Sequence, residues 1–225
     1  MSEKFNMRDG VRFQRVAGIA GIGFALVILG ANLILAPAGL PKPGTDADTA
    51  IAFFVDHRDL VALAMAPVPL GWLCAVLFGA GVLVALRQAE RTAGTGWSLV
   101  GFAGLLLQNA TFIVIVGIRY ALGTSGGDGG ALWALHDALL ALNGTFLATA
   151  LVGLTIAGRL GGLVAPWHAA IGFLAAALQF TAATLAPLII DHAGPLGLLG
   201  LSGWLLWSVW FITYGVALVR TAERR

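Results

Sequence analysis

Six long apolar stretches, at roughly 16–37, 61–86, 97–119, 132–157, 166–190 and 196–219, fill most of this 225-residue chain, and almost no charge interrupts them. An α-helix rises 1.5 Å per residue, so about 20 apolar residues cross a hydrocarbon core ~30 Å thick. Each stretch meets that length. The pattern predicts an all-α, polytopic transmembrane bundle of six helices forming one domain over residues 1–225. The connections at 87–96 and 158–165 are short. The first outer connection, 38–60, is the longest. It opens with the turn Pro41-Lys42-Pro43-Gly44, after which Asp46 or Asp48 is placed to cap a helix running through Ile51, Phe53, Phe54 and Val55. This predicts a short amphipathic helix on the outer surface that leads into the second span. The Gly-rich stretch from Gly123 to Gly130 reads as a flexible loop.

Composition supports the same class. Hydrophobic residues make up 59% of the chain and charged residues 11%, against about 25% charged in soluble domains. Such a chain lacks the polar surface to stay in water. The net charge of +2 does not mark a nucleic-acid binder, because the basic residues sit at span ends and form no stripe. They report orientation instead. With the amino terminus inside, Lys4, Arg8, Arg12, Arg15, Arg87, Arg91, Arg159, Arg220, Arg224 and Arg225 fall inside, and only Lys42, Arg58 and Arg119 fall outside. Cytoplasmic loops collect Lys and Arg, so both termini are expected in the cytoplasm. Residues 1–38 also carry signal-peptide features, ending in Ala36-Pro37-Ala38. Their apolar run exceeds the usual 7–15 residues, so the stretch is taken as a retained first span. The single cysteine, Cys74, has no partner for a disulfide and is expected to serve packing.

In so apolar a chain the polar exceptions carry the information. Gln108, Asn109, Asn143, Gln179 and Ser208 all fall near the middle of their spans, and Asn32 lies nearer the outer end of the first. Residues eleven apart differ by only about 20° around a helix, so Gln108 and Arg119 share a face with Gly101 and Gly104 nearby. His168 and Gln179 share another. Two roles are open to Gln108, Asn109, Asn143, Gln179 and Asn32. One is interhelical hydrogen bonding worth ~0.6 kcal/mol per bond. The other is a lining for a ligand.

Three outer helix ends pair a histidine with an aspartate: Asp56-His57, His136-Asp137 and Asp191-His192, with Arg119 on the same side. Imidazole and carboxylate are ligands for a divalent metal, and an aspartate beside a histidine also suits acid–base chemistry. His136, Asp137 and Arg119 are therefore the candidate catalytic residues. His136, Asp137, Asp191, His192 and His57 are the candidate metal ligands. The bland alternative is helix capping and an Arg119–Asp137 pair. No HExxH or other fixed metal spacing is present. His168 lies across the membrane and is expected to be interfacial beside Trp167. Trp204, Trp207 and Trp210 on the last span are expected to face lipid or a partner subunit. No span contains a lysine for a retinal Schiff base, and no Walker motif or arginine row appears.

The run Arg15-Val16-Ala17-Gly18-Ile19-Ala20-Gly21 and the stretch Asp46-Ala47-Asp48-Thr49-Ala50-Ile51-Ala52-Phe53-Phe54-Val55-Asp56-His57-Arg58, with Arg87 after the second span, resemble a group of uncharacterised six-span membrane proteins of high-GC bacteria. The resemblance implies a bacterial inner membrane and carries no activity. Three functions are expected in order. The first is binding or movement of a small molecule or ion through an outward-facing cavity beneath Asp137, His136, Arg119 and His192. The second is an outer-leaflet enzyme acting on a lipid. The third is an accessory subunit of a larger membrane complex or homo-oligomer. The bilayer is the one certain surrounding, and no nucleic acid is expected.

Overall fold

The computed structural model describes residues 2–124, 129–191 and 194–224, with side chains from residue 10 onward. Among the described residues the chain is all helix and turn. The helices are α1 (Ser2–Leu35), α2 (Ala47–Asp56), α3 (Arg58–Met65), α4 (Val68–Ala93), α5 (Trp97–Leu122), α6 (Gly130–Leu160), α7 (Pro166–Thr184), α8 (Ala186–Asp191) and α9 (Gly197–Glu223). Among the described residues, five helical stretches are long and apolar enough to cross a membrane: Gly10–Leu35, Arg58–Ala93, Trp97–Leu122, Gly130–Leu160 and Gly197–Glu223. Their outward faces stay greasy along their length, with Ile19, Leu26, Leu33, Leu63, Ile113 and Leu198 exposed. In water such a belt would drive aggregation; against lipid it costs nothing.

The expected second and fifth spans are each broken by proline. Pro67 and Pro69 remove amide donors from the ladder, and α3 stops at Met65 before α4 restarts at Val68. Pro187 has the same effect at the junction of α7 and α8. At 19 residues, and with His168 and Gln179 diluting its apolar run, α7 is not one of the five spanning stretches.

Small residues let the helices approach closely. A Cβ on Gly101 would lie 2.6 Å from the Leu154 amide nitrogen, and one on Gly104 2.5 Å from that of Ala150, so α5 and α6 touch backbone to backbone. Gly18 on α1 and Gly215 on α9 meet in the same way, each Cβ falling 2.6 Å from the other's carbonyl oxygen. Gly21 admits the Phe78 ring of α4. An aromatic knot of Phe24, Phe78, Trp207, Phe211 and Tyr214 fills the α1–α4–α9 seam, with T-shaped pairs at 5.5 Å (Phe24–Trp207) and 5.1 Å (Phe24–Phe211). Trp207 and Trp210 are therefore core residues, which corrects the expectation that this tryptophan seam faces lipid. His168 is likewise buried, its Nε2–H donating to the Trp210 carbonyl at 2.9 Å, so it is a packed α7–α9 tie and not an interfacial histidine.

The two ends of the bundle differ. One gathers Arg15 (bonded to Glu223 at 2.9 Å), the α4–α5 turn and the end of α6. Its turn closes on Gly94, whose φ of 65° favours glycine. The other end carries the α2–α3 segment and the residues expected to form a site.

Candidate functional site

The expected short helix after the first span exists, and its cap is Asp46: the carboxylate accepts from the Thr49 amide at 2.9 Å. These bonds to Thr49 hold the Asp46 carboxyl below the usual carboxylate range. Just before it, Lys42–Thr45 forms a β-turn in which the Thr45 amide donates to the Lys42 carbonyl at 3.1 Å. Pro43 and Gly44 take the central positions, with Gly44 at φ 84°, as a type II turn requires. A type II turn leaves its second central amide free. That amide, Gly44 N–H, donates to Asp137 Oδ2 at 3.0 Å.

Behind Asp137 lies a short polar chain. Arg119 Nε–H donates to His136 Nε2 at 3.1 Å. An arginine only donates, so Nε2 is the acceptor and the ring proton is on Nδ1. Nδ1–H donates to Asp137 Oδ1 at 3.3 Å. Arg119, His136 and Asp137 are 6%, 1% and 2% exposed. A cation and a carboxylate are thus joined through an imidazole under cover. The cover comes from aromatic rings and the loop. Trp133 stacks on His136 at 4.8 Å and donates from Nε1 to the Thr45 carbonyl at 2.8 Å. Phe54 of α2 lies 6.3 Å from the His136 ring, and Phe112 lies beneath the guanidinium at 6.0 Å. The expected outward-facing cavity is therefore roofed at this level by the 36–57 segment.

Among the described residues, Asp56, His57 and Asp191 do not join this polar chain. His57 is half-buried, stacks on Phe53 at 4.6 Å and places Nδ1 3.2 Å from the Phe53 carbonyl. Asp56 and Asp191 are exposed. His192 lies outside the described residues. Among the described residues no three His, Cys, Asp or Glu side chains gather as metal ligands. The donor set at His136 also does not fit a divalent metal, because the guanidinium occupies Nε2 and the carboxylate takes Nδ1–H. With both ring nitrogens engaged in this arrangement, the triad ties α5, α6 and the 42–45 turn together as a clasp.

No family model, curated protein or solved structure matches this chain.

Of the mid-span amides, Gln179 is paired, its Nε2–H donating to the Gly200 carbonyl of α9 at 3.1 Å. Asn32 donates locally to the Ile28 carbonyl at 2.9 Å, and Ser208 to that of Trp204 at 3.0 Å. Gln108, Asn109 and Asn143 differ. They are 6%, 5% and 3% exposed, yet Gln108 Oε1, both polar atoms of Asn109 and Asn143 Oδ1 have no hydrogen-bond partner. Trp72 Nε1 and Trp207 Nε1 are buried and unpaired as well. The helix registers bring the α4–α6 groups to about one height. Gly104 meets Ala150 and Phe146, which sets Gln108 near the Asn143–Leu147 turn of α6. Gly79 meets Leu105, which sets Asn109 within about one turn of Trp72. Leaving a buried amide unpaired costs about 1–3 kcal/mol, so three such amides at one level call for a function; Thr155 Oγ1 and Trp210 Nε1 are unpaired too, at a separate α6–α7–α9 contact around Gly172.

Sequence reasoning missed Gly44, Thr45, Trp133 and Trp72. Trp133 stands three residues before His136, a spacing that puts both on one helix face. That signal was legible. The pairing of Gly44 with Asp137, 93 positions away, had none.

Proposed function

We propose that this is a six-crossing protein of a bacterial cytoplasmic membrane that binds a small neutral polar molecule between α4, α5 and α6, beneath a clasped outer roof. In this reading α7 and α8 together make the sixth crossing, and both termini are cytoplasmic. The basic residues support that orientation, ten of thirteen falling on one side. The observation that carries the ligand reading is the unpaired buried amides of Gln108, Asn109 and Asn143. They offer both donors and acceptors. Among the described residues no acid, histidine, lysine or arginine stands at their level, which suits a neutral hydroxyl or amide group and not a proton relay. The Arg119–His136–Asp137 clasp, held by Gly44, closes the outer approach, so entry from that side requires the roof to move. Asp137 and Arg119 act on access, and the amides act on recognition.

The test uses the purified full chain in proteoliposomes with a panel of small amides and polyols, acetamide and glycerol among them. Binding or uptake of at least one is expected in the wild type. Asn109→Leu is expected to abolish it while raising the melting temperature of the ligand-free protein, since Leu relieves two unpaired polar atoms. If no member of the panel binds or enters, or if Asn109→Leu lowers stability and leaves uptake intact, the amides are structural and the reading fails.

A further inference from the structure

At the opposite end of the bundle, an open pocket of about 330 Å³ lies between the end of α4 and the start of α5. Its end nearer the middle of the bundle has an apolar wall, made by Leu83 and Val84. Further along the same face of α4 stand Arg87 and Arg91, four residues apart. Both arginines are exposed, and neither forms an ion pair with an acid among the described residues. The acid nearest in sequence is Glu90, in the same pocket, and it is spoken for. Its Oε1 accepts from the Ser98 amide at 2.7 Å and its Oε2 from the Ser98 hydroxyl, and the residue is 6% exposed. Glu90 thereby pins the first turn of α5 to α4 and is withdrawn from the arginines. The Thr95 hydroxyl adds a neutral donor at the rim.

From this arrangement we infer that Arg87, Arg91 and Thr95 form a site for the phosphodiester headgroup of an anionic phospholipid, with an acyl chain lying along Leu83 and Val84. Two guanidinium charges less the Glu90 carboxylate leave one net positive charge, which matches a headgroup carrying one phosphodiester. Guanidinium forks match phosphate oxygens in pairs. The pocket also has the right height. Trp97, 38% exposed, begins α5 beside it, where amphipathic rings mark the headgroup level. Val84 is 49% exposed about one turn further into the belt. An anion in water would have no use for that apolar wall. The inference rests on the bilayer reading and is independent of the amide layer.

The chemistry shared by a lipid headgroup and a free phosphate is the oxyanion, so the test separates the two. The full chain is purified in mild detergent and titrated with phosphatidylglycerol, with phosphatidylcholine and with inorganic phosphate, bound species being read by native mass spectrometry. Wild type is expected to retain one phosphatidylglycerol at least roughly tenfold more strongly than phosphatidylcholine, and Arg87→Gln/Arg91→Gln to lose that preference. Arg87→Lys/Arg91→Lys keeps the charge, guards against a folding failure, and is expected to retain an intermediate amount. Equal retention of the two lipids by wild type overturns the site. So does unchanged retention by the Gln variant, which would mean that the arginines serve only to orient the chain. Binding of inorganic phosphate at these arginines without phosphatidylglycerol binding overturns the lipid assignment. None of these outcomes depends on acetamide or glycerol binding, so this site and the amide layer fail separately.

Discussion

Arg119 is the residue on which the end of the bundle carrying α2 turns. Its guanidinium is buried, donates to a histidine and stands one imidazole away from a carboxylate. Removing one member of a buried charge pair strands the other, which costs about 3–5 kcal/mol. Arg119→Ala and Asp137→Ala are each expected to destabilise the protein by that order. The double variant is expected to cost clearly less than the sum, because neither charge is then left alone. Thermal unfolding of the four proteins in one detergent measures the cycle; additive losses would show that the two charges do not communicate through His136. Asp46 gives the pH dependence at this scale. Its carboxyl lies lower in the folded chain than in the unfolded one, so its capping contribution is present above the ordinary aspartate range and fades as pH falls through the folded value. Protection factors for amide exchange over 47–56, referred to the intrinsic exchange rate at each pH, are expected to fall on acidification, and to be low and less pH-dependent in Asp46→Ala.

Between elements, glycine sets the spacing. A Cβ at Gly104 meets the α6 backbone at 2.5 Å, and backbone cannot swing aside as a side chain can. Gly104→Val is expected to cost about 1–3 kcal/mol or more by overpacking. It should also displace α5 from α6 and loosen the Arg119–His136 bond further along the same contact. Gly117, with nothing within 4 Å of its Cβ, is the matched control: Gly117→Ala is expected to be neutral or mildly stabilising by helix propensity. Melting temperatures of the pair test the contrast. The roof depends on an element of another kind, the type II turn at 42–45. Gly44 is held at φ 84°, so an alanine there strains the turn whose amide grips Asp137.

For the whole molecule, the prediction concerns sidedness. Reporter domains fused at either end are expected on the same, cytoplasmic side, and one inserted after Thr45 on the other. Opposite-side termini would mean that α7 and α8 do not cross, and would leave five crossings, the number of helical stretches that meet the length and apolarity needed. The same experiment places the Arg87–Arg91 pocket on one leaflet.

The sequence by itself determined the class. Apolar runs of membrane-spanning length, broken by few charges, admit little but a helical membrane bundle, because backbone amides must be satisfied within each segment in lipid. It also located the short helix after the first span, with Asp46 among its candidate caps, and the polar residues worth watching, since periodicity and capping are local in the chain. It did not separate Gln179, which is paired, from Asn143, which is not. It did not place Trp207 inside, or say that His57 stands apart from His136 while Gly44 reaches Asp137. Those outcomes turn on which helix faces meet, and helix rotation is settled by glycine contacts and aromatic packing between segments far apart in sequence. In a chain apolar on every side, hydrophobicity gives no inward direction, so only the assembled bundle decides which polar atoms find partners and which are left open.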